Sequence, residues 1–287
     1  MAKRFAKPEA DQKGRLSKAP EEYDDMSNDE GSITSEVRGH IMLIGLNRPK
    51  KYNGYTPTMA KQLVKAMTRL DEDVDLWVGV IFGHGDHFTA GLDLPKWTGR
   101  MEKGGSRGDS EERLDIVGLG RACRKPIVTA VHGITFTLGI ELALGGDIVV
   151  AADNCRFSQL EPKRGIHATG GATIRFVERG GWGNAMYHLL TSDEFDAEEA
   201  KRVGLVQEIV PLGRQLDRAI EIAESIAACA PLAVQATKAS SRRFVEEGFD
   251  AAVAALPGTQ RRLLESEDAK EGVQSFVERR TAEFKGR

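Results

Sequence analysis

Cysteine is scarce. The 287 residues hold three, Cys123, Cys155 and Cys229, and none stands in a C-x-x-C pair. That excludes a disulfide framework and a thiolate metal cluster, and it reads as reduced, buried thiols in a reducing compartment. Long apolar runs are missing too: none approaches the roughly 20 residues that a bilayer-spanning helix needs. Charge of one sign is also lacking. Lys and Arg number 40 against 43 Asp and Glu, a net of −3, so there is no broad electrostatic footprint for nucleic acid or an anionic membrane. No repeat, metal-ligand cluster, fitting Ser-His-Asp order or phosphate-cradling loop is found.

The first residues, MAKRFAK, are basic, but no apolar stretch follows. The acidic run EEYDDMSNDE argues against a transit peptide. The expected location is cytoplasmic. Residues 1–30 are polar and charged and are expected to form a disordered or extended arm.

What is present is an ordinary globular composition, 40% hydrophobic and 29% charged. Residues 33–37 and 40–46 read as two strands around a tight turn at Arg38-Gly39. The span 56–71 carries Met59, Leu63, Met67 and Leu70 at helical spacing, with Thr56 or Thr58 as cap. A near-continuous apolar strand covers 77–82, as expected where both faces of a sheet are covered. The pattern recurs: a loop rich in Gly, Lys and Ser (99–108), a helix over 113–123, a strand over 126–131, a helix over 138–144 and a strand over 147–151. After Gly181 the chain reads as mostly helical, with a short strand near 206–210. Alternating strands and helices indicate α/β with parallel pairing. The expected organisation is the arm (1–30), a core (31–230) and a C-terminal helical region (231–287).

Three frames carry the chemistry: HFTAGLDL (87–94), AVHGITFTLGIELALGGDIVVAAD (130–153) and FSQLEPKRGIHATGG (157–171). In the first, Gly91 lets the backbone approach a ligand closely, and Asp93 with Pro95 reads as a helix start. The N–H of Leu92 then points outward where anions are favoured. A plain strand–turn–helix junction with a capping Asp93 is the alternative. In the second frame Leu138-Gly139 opens the next helix, and the Leu138 N–H can meet the first. Two such donors aimed at one oxygen make an oxyanion hole. Glu141 lies one turn in, among apolar residues where a carboxylate tends toward proton transfer. In the third frame Glu161 precedes Pro162, at a strand end or loop where catalytic groups are commonly displayed.

These frames resemble the crotonase superfamily, the enoyl-CoA hydratase/isomerase family. Further matching pieces are LNRPKKYNGYT, SDEFDAEEAKRVGLVQEIVP and EGVQSFVERRTAEFKG, so the likeness runs from about residue 33 to the end. The resemblance implies an α/β fold: a crotonase-like spiral of ββα turns with a C-terminal helical trimerisation region. It also implies a homotrimer or a hexamer of two trimers. It implies an acyl-CoA thioester as substrate, with no separate cofactor, no metal, no nucleic-acid partner and no membrane. It places the oxyanion-hole amides at Leu92 and Leu138 and the two hydratase carboxylates at Glu141 and Glu161. The implied reaction is syn addition of water across the C2–C3 double bond of an enoyl-CoA. Glu141 deprotonates the water attacking C3, and Glu161 handles the proton at C2. Substrate and CoA contacts implied by the resemblance are Lys51, Tyr52, Ala90, Gly91 and Arg279, with Lys50 and Arg280 beside them.

Departures stand out. Where the family often has a glycine run, this chain has Thr137-Leu138-Gly139. The amide survives that change, because every residue except Pro supplies an N–H. The side chains of Leu138 and Phe136 occupy space near the acyl group. Pro162-Lys163-Arg164 replaces an aliphatic lining, and His167 replaces a family Pro. His167 is either a third polar group for an atypical acyl chain or a loop residue bonded to backbone. An isomerase would need a carboxylate only at Glu161. A thioester or C–C hydrolase and a non-catalytic or RNA-binding relative are the remaining readings.

Overall fold

The computed structural model describes residues 30–101 and 114–287. The expected arm over 1–30, apart from Glu30, and most of the Gly/Lys/Ser loop lie outside them. The span Gly31–Arg287 forms one unit.

Strands β1 (Ser32–Arg38) and β2 (Ile41–Asn47) form the expected hairpin, with Arg38 paired to Ile41. Parallel strands β3 (Val78–Gly83), β4 (Ile127–Val131), β6 (Ile148–Ala152) and β9 (Glu208–Val210) follow. The sheet order is β1-β2-β3-β4-β6-β9. Successive side chains of a strand leave on opposite faces. Ile41, Leu43, Val78, Val80, Val128 and Ala130 accordingly face α6 (Gln215–Ala227), where Ala219 and Ala223 sit fully buried. Met42, Ile44 and Ile81 join the other core, built on Met59, Leu63, Met67 and Leu70 of α1 (Pro57–Glu72). Burying each of these larger side chains stabilises by about 1.5–3 kcal/mol. Both faces are covered, which is why β3 reads as a continuous apolar run rather than an alternating one. Thr56 caps α1 by accepting from Met59 N–H at 3.2 Å.

A second sheet of three short strands has the order β5-β7-β8: β5 (Ile134–Phe136), β7 (Arg156–Ser158) and β8 (Phe195–Asp196). Helix α2 (Leu94–Met101) follows the first frame, α3 (Leu138–Gly145) follows β5, and α4 (Ala172–Thr191) follows the third frame. Helix α5 (Ala197–Arg202) precedes β9, and α7 (Pro231–Glu247), α8 (Phe249–Leu264) and α9 (Glu267–Glu278) close the chain. No single helix among the described residues is long and apolar enough to cross a membrane.

The helix expected over 113–123 is absent: residues 114–123 form turns. The cause is local. The Asp115 carboxylate accepts from Val117 N–H (2.9 Å) and Gly120 N–H (3.0 Å), and Asp115 N–H donates to Arg121 O. Side-chain bonds of this kind compete with helical ones. Of the three thiols, Cys123 and Cys155 are buried as expected, and burial pushes their pKa up to about 11 and about 12. Cys229 is exposed, against expectation.

Candidate active site

The first and second frames form two strand–turn–helix junctions that are tied to each other. Phe136 N–H donates to Thr89 O (3.0 Å), and Thr89 N–H donates to Ile134 O (3.1 Å). The 50s loop ties in as well. Tyr55 N–H donates to Gly91 O (2.8 Å), and Asp93 N–H donates to Tyr55 O (3.1 Å). In a parallel bridge of this form the residue between the two bonds turns its own N–H away from the partner strand. That residue is Leu92. Its N–H has no acceptor among the described residues. Neither does Leu138 N–H, which opens the first turn of α3, where helical N–H groups are unpaired by construction. The structure therefore supplies two free donors from adjoining junctions.

Their spacing depends on a tight contact. Gly91 has φ +97°, and a Cβ built on it would stand 1.9 Å from Thr137 Oγ1. Thr137 itself, just before α3, has φ 48° and ψ −113°. A β-branched residue there costs on the order of 1–3 kcal/mol. The strain is held by Thr137 N–H donating to Ser158 O (2.9 Å) and Thr137 O accepting from Ile140 and Glu141 N–H.

Arg48 anchors the other side. Its guanidinium is 2% exposed, and Nη1 meets Asp93 Oδ2 at 2.7 Å and Gly54 O at 2.9 Å. Asn53 Nδ2 donates to His84 O and His87 O, both at 2.8 Å, closing the loop beneath. Replacing Asp93 with Ala takes the carboxylate from a buried cation and is expected to destabilise the fold by about 3 kcal/mol. Urea denaturation reads this directly; a loss under 1 kcal/mol would show that the pair is not holding the Leu92 turn.

Strand pairing delivers the third frame. β5 and β7 run parallel, with Phe136 opposite Ser158, so the chain beyond Ser158 passes the start of α3. Glu141 and Glu161 are both buried, at 5% and 9% exposure. Glu141 Oε1 accepts from Gly170 N–H (2.6 Å) and Ala172 N–H (3.4 Å), at the start of α4. These N–H groups hold the carboxylate's charge at a helix N-terminus. A Cβ on Gly170 would stand 2.2 Å from Glu141 Oε2, so only glycine allows this approach. Glu161 is unlike its partner. Its Oε2 finds no hydrogen bond among the described residues. Burial, opposed by a backbone hydrogen bond and reinforced by the nearby Glu141 charge, pushes its pKa up to about 7. One carboxylate is bound by amides and the other is poised to gain or lose a proton at neutral pH.

The remaining expected residues are less convergent. Ala90 N–H donates to Tyr52 O (2.9 Å), which ties Tyr52 to the first frame. Its ring is 56% exposed and lies 5.0 Å from that of His87. Lys50 and Lys51 are exposed on a 3-10 turn, Pro49–Lys51. His167 is exposed, with no hydrogen bond among the described residues to either glutamate. Arg279 is an exposed cap of α9, and Arg280 is held by Glu271 and Glu278. Sequence reading missed Gln159. It is 1% exposed, and neither side-chain polar atom has a partner among the described residues. Its place two residues before Glu161 was the available signal. It also missed Arg48 and Gly170, whose parts depend on contacts 45 and 29 residues away.

Residues 36–287 match the family described as "Enoyl-CoA hydratase/isomerase". Enoyl-CoA hydratase EchA19 of Mycobacterium tuberculosis is 36% identical over 256 residues, 88% of this chain and 96% of that one. The 2,3-dehydroadipyl-CoA hydratase of Escherichia coli is 33% identical, over 86% of this chain and 96% of its own. Among solved structures, a probable enoyl-CoA hydratase/isomerase from Mycobacterium abscessus is 48% identical with a TM-score of 0.85, covering 89% of this chain and 98% of that one. An enoyl-CoA hydratase from Mycobacterium tuberculosis is 36% identical with a TM-score of 0.79, covering 89% and 99%. A family match over residues 36–287, with relatives at 36% identity along nearly their whole length, shows that the chain belongs to the enoyl-CoA hydratase/isomerase family, the crotonase superfamily.

Proposed function

We propose that this chain is an enoyl-CoA hydratase, a hydro-lyase acting on a trans-2-enoyl-CoA. The observation that carries the reading is the asymmetric glutamate pair: Glu141 bound by Gly170 and Ala172 amides, Glu161 with a free oxygen and a pKa of about 7. The Leu92 and Leu138 N–H groups polarise the thioester carbonyl, drawing electrons from the C2–C3 double bond. Glu141 takes a proton from water as its oxygen bonds to C3. Glu161, protonated in part at neutral pH, delivers a proton to C2. The product is a 3-hydroxyacyl thioester, and both carboxylates return to their starting states after one proton passes between them through solvent. Removing one oxyanion donor from such a site costs about 10²–10³ in rate.

Lys51, Tyr52, Ala90, Gly91 and Arg279 are the proposed CoA and thioester contacts, and His167 borders the acyl end. The coenzyme A thioester is substrate rather than cofactor. The proposed assembly is a homotrimer or a pair of trimers. Trp182 (71%), Tyr187 (63%) and Leu190 (70%) stand exposed on α4, with Phe276 (85%) on α9. Isolated soluble chains seldom present so many large apolar groups.

Turnover of crotonyl-CoA, followed by loss of the enoyl-thioester absorbance, tests the reading, with Glu141→Gln alongside. Hydration is expected in the native chain and a fall of about 10²–10⁴ in the variant, the usual worth of a general base. No hydration by the native chain would overturn the hydratase assignment, and intact hydration in Glu141→Gln would remove Glu141 as the base. If the native chain instead shifts a 3-enoyl to a 2-enoyl thioester, and the variant still does so, the single carboxylate at Glu161 makes it an isomerase.

A further inference from the structure

A cavity of about 1000 Å³ lies open between α3, α4 and α7. Its charged wall is Arg175, Arg179, Lys238 and Arg242, and its apolar wall includes Leu119, Ile174, Val234 and Val245. Arg175 is the unusual member. It is 8% exposed. Among the described residues its guanidinium makes one hydrogen bond, a long one from Nη1 to Gly170 O at 3.5 Å, and no carboxylate lies within ion-pair distance. A guanidinium has five N–H donors, and burying it without an anion is costly. Its nearest company is more positive charge. A Cβ on Gly118 would meet Arg242 Nη2 at 3.2 Å and Arg175 Nη2 at 3.5 Å, so two guanidiniums crowd over one Cα.

The acids facing this wall do not answer that charge. Asp147 is held by Lys238 (2.6 Å) and by Ile127 N–H. Glu246 is held by Arg242 (3.1 Å). Glu178 is exposed, on the same helix as Arg175, and pairs with neither arginine. Asp115 is bound by Val117 and Gly120 N–H. Arg179 Nη2 donates at the end of α3, to Leu144 O (3.2 Å) and to Gly146 O (3.4 Å) just past it. Four cations line the cavity against three carboxylates, and the excess sits on the deepest cation.

We propose that this cavity binds a small organic acid, with a carboxylate or phosphate head on Arg175 and Arg242 and an apolar body against Ile174 and Val245. The site is separate from the two-glutamate centre. Gly170 forms the wall between them, its N–H on Glu141 and its O on Arg175. The planar fork of a guanidinium suits both heads.

The test uses the full chain saturated with butyryl-CoA, a thioester that cannot be hydrated, so that the CoA and acyl sites are filled. Octanoate and inorganic phosphate are then titrated by calorimetry and thermal shift. Octanoate is expected to bind saturably and to raise Tm, more strongly than phosphate, since only octanoate uses the apolar wall. Arg175→Met and the rim variant Arg242→Gln, whose side chain is already 31% exposed, are each expected to weaken binding at least tenfold. Phosphate binding as tightly as octanoate would overturn the apolar half of the site. No saturable binding of either probe, or undiminished binding in Arg242→Gln, would overturn the whole. Failure to bind together with loss of assembly in Arg242→Gln would instead give these arginines to an acidic side chain of a second copy.

Discussion

Glu161→Gln is expected to abolish hydration and to stabilise the fold in the same molecule. The catalytic loss should be about 10²–10⁴ in kcat, because the amide can neither give nor take the C2 proton. The stability gain follows from the site's electrostatics. Burial, with Glu141 adding to it, raises the folded pKa of Glu161 from 4.5 to about 7. A raised carboxyl pKa means that the folded state holds a proton which the unfolded state releases. Its contribution is therefore fully present below pH 4.5 and is lost as pH rises through about 7. Above that, an ionised Glu161 is buried with no partner on Oε2 among the described residues. Glutamine copies the neutral form at every pH. The variant should match the native chain near pH 4 and exceed it at pH 8 by up to about 3 kcal/mol, at 1.36 kcal/mol per tenfold in acidity. Thermal melts at both pH values check this; equal Tm at pH 8 would mean that Glu161 ionises freely. Kinetics should carry the same signature. Hydration and the reverse dehydration each start from a glutamate pair that holds one proton, so both should fall together as pH rises through about 7.

Strand β3 and helix α1 announce themselves because hydrophobic period is local. Glu141, Glu161 and the Leu92 and Leu138 amides stand out by their frames, and the structure brings those frames together through the Thr89–Thr135 bridge and the β5–β7 pair. What makes the amides free was not legible. Leu92 N–H is unpaired because Tyr55 takes the groups on either side of it, and the turn is held by Arg48, which sits 45 residues before Asp93 in the chain. The Gly170 amide that binds Glu141 is likewise 29 residues distant. The helix expected over 113–123 failed for the opposite reason. There a single side chain, Asp115, outcompeted the periodic signal within its own five residues.

Thr137 shows where the chain departs from its family's glycine run and what that departure demands elsewhere. Its hydroxyl occupies the space that a side chain at 91 would need, so the pair Gly91–Thr137 fixes how near the two donor amides can come. Gly91→Ala would set a methyl 1.9 Å from Thr137 Oγ1 at a φ of +97°, which alanine also resists. One junction must give way, and the Leu92 and Leu138 N–H groups then no longer share a target. The expected loss is about 10²–10³ in kcat, the worth of one oxyanion donor, with KM for crotonyl-CoA changed far less. A second variant separates collision from backbone strain. Thr137→Gly alone relieves its own positive φ and should leave kcat within about tenfold of native, since its amide and that of Leu138 remain. Combined with Gly91→Ala it removes the collision but not the strain at 91. A double-mutant cycle should therefore show coupling of about 1–3 kcal/mol, as for residues in direct contact. Additive losses would separate the two positions and leave the oxyanion geometry to the backbone of each junction alone.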